Sequence, residues 1–200
     1  MNFKPILIVH GEPNSIFLEI FFKSLKKTYS SPIILIASYK LLILQMKKLN
    51  YKKKIKLLEF ENLPKYILNN KSINLINVNY TFSKPFEKIS SKSNAYIKRS
   101  FDLAFKIIDN GITNKLINGP ISKKNFLKKK HLGITEYIAN KYSIKNKAML
   151  IYNNRLSVCP VTTHLPLKVV SKKINQKNII EKIKLISDFY KNILKLKPKI

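Results

Sequence analysis

The feature that most constrains this chain is an alternation. Short, β-branched apolar runs closed by glycine, proline or asparagine take turns with stretches whose apolar residues recur at helical spacing. PILIVH (5–10) stops against Gly11 and Pro13, and Ile16, Ile20, Phe21 and Leu25 then fall on one helical face. Asn14 or Ser15 is the expected N-cap of that helix, with Glu19 near the positive end of its dipole. PIILIAS (32–38) precedes an expected helix over 39–50, and KIKLLEF (54–60) and INLINVN (73–79) read as further strands. Ile97, Phe101, Ala104, Phe105 and Ile108 predict the apolar face of a third helix, closed by Gly111 in the left-handed position that ends helices. NKLING (114–119) reads as a strand, followed by a short lysine-rich helix from about 122 and another helix near 135–142. KAMLIY (147–152) and LSVCPVT (156–162) read as strands, and a long amphipathic helix is expected over about 175–196. Strands that alternate with helices predict a mostly parallel sheet and an α/β fold. A Pro198 stop followed by KI reads as the start of a further strand, so the sequence looks like part of something longer.

With 45% hydrophobic residues the 200-residue chain has enough apolar material for a sizeable core. Its formal charge of +29 invites a nucleic-acid reading. The cations argue against it: all 39 are lysine except Arg99 and Arg155, and arginine is the residue that reads guanine edges and grips phosphate bidentately. The lysines are scattered, with YKKKIK (51–56) and KKNFLKKKH (123–131) the densest runs. They read as solvated faces that can also attract an anionic substrate. A nucleic-acid partner is therefore not expected, and steeply salt-dependent DNA binding without metal uptake would mark the competing class. A single cysteine, Cys159 in an apolar run, predicts a small buried thiol and a reducing cytoplasm. No segment approaches the roughly 18 apolar residues of a membrane span, so no membrane partner is expected.

Generic signatures are absent: no G-x-G-x-x-G, P-loop, H-E-x-x-H, paired cysteines or G-x-S-x-G elbow. What remains is a set of polar turns at strand ends: HGEPN around Gly11, NGPISKK around Gly119, LGITE around Gly133, and TTHLPL around His164. In α/β folds ligands collect at the carboxyl ends of strands, so these four turns are the candidate pocket wall, although ordinary loops have the same composition. His164 reads either as a hydrogen-bonded structural residue or as a metal ligand. Thr162 and Thr163 can cap a turn, Lys123 can be one more solvated lysine, and His10 reads as structural.

Taken in order, HGEPNSIFLEI, SNAYIKRSFDLA, NGPISKK, LGITEYIA and PVTTHLPL resemble the N-terminal three-fifths of the 4-hydroxythreonine-4-phosphate dehydrogenase family of pyridoxal phosphate biosynthesis. Members of that family show G-D-P-x-G-I-G-x-E, T-A-P-I-N-K, G-H-T-E and T-T-H-[IL]-P-L segments in the same order. The resemblance covers nearly all of residues 5–200. It implies an α/β fold of the isocitrate/isopropylmalate dehydrogenase type, with two domains, mostly parallel sheets and an incomplete C-terminus. The expected subdivision is 1–118 for the first domain and 119–200 for the start of the second.

The resemblance also implies roles. His164 falls on a histidine that binds a catalytic divalent metal (zinc, magnesium or cobalt), and Thr135 falls on a threonine that contacts the phosphorylated substrate. Lys123 and Glu19 match positions that line or support the cleft. The implied reaction is NAD- or NADP-dependent, metal-assisted oxidation of 4-phosphooxy-L-threonine in a cytoplasmic homodimer with a shared active site. In the family, two further metal histidines and most cofactor contacts lie beyond residue 200. No cofactor-binding residue and no acid or base is assigned, and these 200 residues alone are expected to be inactive. Departures are explicit: Ile134 stands where the family has histidine, with His131 as a stand-in. Glu12 replaces the aspartate, Ser15 and Phe17 the later glycines, and Ser122 the asparagine. These changes keep two alternatives open: a paralogue acting on another phosphorylated four-carbon acid, and an inactive or anion-binding relative.

Overall fold

The computed structural model describes residues 3–128 and 131–200. The chain divides into two compact units, Met1–Lys128 and Lys129–Ile200. In the first, β1 (Ile6–Val9), β2 (Ile33–Ala37), β3 (Ile55–Leu58), β4 (Ile73–Asn77) and β5 (Leu116–Asn118) form one parallel sheet in the order β3-β4-β2-β1-β5. Side chains of a strand alternate between its two faces, and both faces here are apolar. Ile8, Ile33, Leu35, Ala37, Ile73 and Leu75 meet α1 (Phe17–Ser24) and α2 (Tyr39–Lys48) through Phe17, Leu18, Phe21, Phe22, Leu42 and Met46. The intervening Leu7, Val9, Ile34 and Ile36 are equally buried, and α3 (Asn94–Asp109) packs on β1 and β2. Helices on both sides of a parallel sheet confirm the α/β expectation.

Local signals hold with small corrections. Ile16, rather than Asn14 or Ser15, is the N-cap of α1. Asn14 is drawn into tertiary bonds, donating to the Tyr80 hydroxyl (3.3 Å) and accepting from the Glu87 amide (3.1 Å), whereas Ser15 bonds locally, its Oγ donating to the Glu12 carbonyl (2.7 Å) and accepting from the Phe17 amide (3.3 Å). Ser38 caps α2 by accepting from the Leu41 amide at 3.4 Å. On α3 it is Ile107, not Ile108, that is fully buried. Gly111 takes the left-handed conformation (φ 70°) and its amide closes the helix on the Ile108 carbonyl at 2.8 Å.

Polar groups are buried at the carboxyl end of the sheet. His10 is fully buried and its Nδ1 lies 3.1 Å from the Tyr96 hydroxyl, which also accepts from the Ser38 amide at 3.2 Å. Glu12 accepts from the Ser93 hydroxyl at 2.7 Å, and burial raises its carboxyl above the usual range against that bond. Burial also lowers the His10 imidazole to about 3. Because this pKa is depressed below the unfolded value of 6.5, the unfolded chain binds the extra proton between pH 6.5 and 3, and stability falls as pH drops through that window. Relative to His10→Gln, wild type should lose about 1.4 kcal/mol per pH unit between pH 6 and 4.5 in urea melts. Parallel curves would contradict a buried neutral imidazole.

The second unit departs from expectation. It contains α4 (Ile134–Lys141), α5 (Leu167–Lys173) and α6 (Gln176–Phe189), the last continued by a π-helical turn at Tyr190–Leu194. Helix α5 was not anticipated. KAMLIY and LSVCPVT are not strands; they meet at one isolated antiparallel bridge, Ile151 to Val158. Short apolar runs become strands only where neighbours complete the ladder, and among the described residues of this unit no strand flanks them. Cys159 is half-buried rather than buried, and KPKI carries no strand. Among the described residues no helix is long and apolar enough to cross a membrane.

Candidate functional site

Chain order and spatial order reverse at β1: the chain leaves it for β2 on one side, and β5 returns on the other. In open α/β sheets this switch point is where ligands enter. Here the crevice is closed. The Glu12 amide donates to the Pro120 carbonyl at 2.7 Å, and the Gly119 amide to the Val9 carbonyl at 2.8 Å. Gly11 has φ 75°, and a Cβ there would stand 2.5 Å from the Pro120 carbonyl oxygen; a Cβ on Gly119 would overlap the His10 carbonyl oxygen. Two of the four expected turns therefore pack backbone against backbone. Their glycines serve close approach and leave no open pyrophosphate cradle, so no nicotinamide contact is assigned to them.

The other two turns come together in the second unit. Gly133 is the N-cap of α4, which places Ile134, Thr135 and Glu136 in the helix's first turn. The TTHLPL turn brings His164 to the same place. His164 holds a left-handed backbone (φ 58°), a conformation uncommon in non-glycine residues and concentrated at functional sites. A Cβ on Gly133 would lie 3.1 Å from Glu136 Oε2 and 3.9 Å from His164 Nε2, so both atoms face the bare glycine. Beside them opens a cavity of about 250 Å³, lined by Thr135, Glu136 and Thr163 with Lys145, Lys147 and Lys182. The hydroxyls and ammonium groups suit an anionic ligand, while the imidazole and carboxylate suit a divalent cation.

Lys123, Glu19 and His131 lie away from this point, and Ile134 borders it. Lys123 is exposed on a π-helical turn of the first unit, Lys123–Leu127, where Ser122 caps the turn by accepting from the Asn125 amide at 3.1 Å. Glu19 is on the surface of α1, paired with Lys23 at 2.6 Å. His131 lies 3.1 Å from the Asn140 side-chain nitrogen and stands edge-on to Tyr137, one to two turns along α4 from its first residues. Ile134 is half-buried at the first position of α4. Sequence reasoning missed Glu136 and the three cavity lysines. Glutamate in a first helical turn is an ordinary dipole partner, so its site character shows only in its orphaned oxygen: Glu136 Oε2 is buried without a hydrogen-bond partner.

A cation needs more than this chain supplies, because among the described residues no three His, Cys, Asp or Glu side chains converge. The donors that do converge, one imidazole and one carboxylate, are of the right chemistry for zinc or cobalt, whereas magnesium favours oxygen donors alone.

Similarity searches agree with the turns. The 4-hydroxythreonine-4-phosphate dehydrogenase of Aquifex aeolicus (strain VF5) is 30% identical over 153 residues, 76% of this chain and 46% of the relative. That of Wigglesworthia glossinidia brevipalpis is 24% identical over 194 residues, 96% of this chain and 58% of the relative. The chain thus spans about half the length of the curated relatives it matches. A crystal structure of 4-hydroxythreonine-4-phosphate dehydrogenase from Klebsiella pneumoniae has the same fold, with a TM-score of 0.79 at 22% identity over 94% of this chain and 60% of that one. The family model described as pyridoxal phosphate biosynthetic protein PdxA matches residues 28–200, and the chain belongs to that family.

Proposed function

We propose that the protein carrying this chain oxidises the secondary alcohol of 4-phosphooxy-L-threonine with NAD or NADP, assisted by a divalent metal, in pyridoxine 5′-phosphate biosynthesis. The carbinol hydrogen leaves as hydride to the nicotinamide and the hydroxyl proton to solvent. The resulting 2-amino-3-oxo acid phosphate is a β-keto acid and loses carbon dioxide to give 3-amino-2-oxopropyl phosphate. The observation that carries this reading is His164 Nε2 facing Gly133 beside a cavity lined by Thr135 and Thr163, in a chain of this family.

The chain's own part is binding and orientation. The Thr135 hydroxyl, in the first turn of α4, can donate to a substrate oxygen, and the free amides of that turn favour negative charge beside it. Lysines at 145, 147 and 182 add positive charge to the same cavity. His164, exposed and with a left-handed backbone, presents Nε2 toward Gly133. When bound there, a divalent cation supplies Lewis acidity that eases loss of the hydroxyl proton and takes up negative charge during decarboxylation. In this reading the remaining donors and the cofactor contacts come from the rest of the protein and from a second subunit of a cytoplasmic homodimer, and residues 1–200 alone do not turn over.

The test is reduced-cofactor formation from 4-phosphooxy-L-threonine by the protein carrying this chain, with one carbon dioxide released per hydride transferred. Turnover of another phosphorylated four-carbon acid, with none of this substrate, would replace the reading with the paralogue. Ile134 bears on the same choice, since it offers no hydrogen bond where the family has histidine. Ile134→His should raise kcat/KM for 4-phosphooxy-L-threonine by roughly tenfold, the worth of one hydrogen bond to a charged group. No gain or a loss would mean that the pocket is built for a different substrate.

A further inference from the structure

The Glu136 carboxylate is the feature that the proposed function leaves unexplained. Its Oε2 is buried and takes no hydrogen bond. A buried carboxylate oxygen is costly unless a donor or a cation satisfies it. This chain carries 39 lysines and arginines, yet among the described residues none forms an ion pair with Glu136. Helix capping does not account for it either. Glu136 is the third residue after the N-cap Gly133, the position from which a glutamate can reach back to the N-cap amide, but Oε2 has no such bond.

Position supplies the missing element. Oε2 and the His164 Nε2 lie 3.1 Å and 3.9 Å from the one point where a Cβ of residue 133 would stand, and residue 133 is glycine. A side chain there would crowd the space that both atoms face. His164 is exposed, so its ring is free to turn toward a ligand, and no described side chain hydrogen-bonds it. Two lone-pair donors, one nitrogen and one anionic oxygen, thus face a shared space and are not bonded to each other. Zinc and cobalt take both donor types, at about 2.0–2.2 Å for zinc, so an ion between them would draw both side chains inward and satisfy the buried oxygen.

We propose that Glu136 is a second protein donor to the divalent cation whose first donor in this chain is His164, with Gly133 kept bare to leave room for the ion. The proposal rests on the His164 reading above and adds a donor to it. Cobalt(II) is the probe, titrated into the protein carrying this chain and followed by calorimetry and by its visible absorption. Glu136→Gln should weaken cobalt binding by at least about tenfold and alter the absorption band, and Glu136→Asp should recover part of the loss. Glu181→Gln removes the same charge from the lining of the same cavity and should leave affinity within about twofold. Circular dichroism checks that each variant is folded. If His164→Ala weakens binding while Glu136→Gln does not, the second-donor assignment is overturned and the His164 reading survives. Equal losses from Glu136→Gln and Glu181→Gln would mean that Glu136 acts through charge alone, which also overturns the assignment. Binding that neither His164→Ala nor Glu136→Gln alters would end both.

Discussion

Gly119→Ala is expected to be among the most damaging single-methyl changes in the first unit. The added carbon would overlap the His10 carbonyl oxygen and stand 2.8 Å from its carbon and 2.9 Å from Phe17 Cδ2. Two of those neighbours are backbone atoms of the β1 exit, fixed by the 2.8 Å bond from the Gly119 amide to the Val9 carbonyl, so no rotamer change relieves the clash. Overpacking costs about 1–3 kcal/mol where side chains can yield, and rigid backbone puts this site at the top of that range or above. A loss of about 3 kcal/mol lowers the melting temperature of a chain this size by roughly 6–12 °C. Gly111→Ala is the informative comparison. Nothing stands within 4 Å of a Cβ there, so its cost is confined to the strain of φ 70°. Thermal melts that placed Gly119→Ala beside wild type would mean that the two turns do not touch as described.

Phe101→Ala should cost about 3–5 kcal/mol, the range for removing a buried phenylalanine ring. Phe101 is fully buried on α3, with its ring centroid 5.9 Å from Phe105 and 6.3 Å from Phe126. Phe126 belongs to the turn that carries Lys123, so the loss propagates from the core to one of the candidate site segments. Urea unfolding should show a lower midpoint with an unchanged slope. Phe86→Ala, at a residue 39% exposed, should stay within about 0.5 kcal/mol of wild type. Equal effects at the two positions would contradict the assignment of α3 as the cover of the sheet.

The first unit was legible because its signals are local and agree with one another. PILIVH and PIILIAS are apolar on both faces, as strands buried beneath two helical layers must be, and Gly111 stops α3 where periodicity said it would. The second unit was not. KAMLIY and LSVCPVT have the composition of strands, but strand identity depends on partners, and Ile151 and Val158 remain 61% and 52% exposed across a single bridge. Site legibility divides in the same way. The TTHLPL and LGITE turns were recognisable as segments, and the structure brings them together at Gly133. The HGEPN and NGPISKK turns were equally visible, but nothing local says that their glycines exist for each other. Glu136 was invisible because an orphaned oxygen is a property of its surroundings, and Asn14 failed as a cap because Tyr80 and Glu87, far along the chain, claimed its side chain.

The role proposed for His164 is to serve a metal-assisted oxidation. It is tested most directly by following NADH or NADPH formation from 4-phosphooxy-L-threonine in the protein carrying this chain, before and after chelation and with zinc or cobalt restored. Chelation should abolish turnover and restored metal should recover it. His164→Ala should lower the metal-supplemented rate at least about a hundredfold, the scale of several kcal/mol of lost charge stabilisation. His131→Ala, whose ring is engaged with Asn140 and Tyr137, should leave the rate nearly unchanged. Metal-independent turnover, or undiminished activity in His164→Ala, would contradict the account.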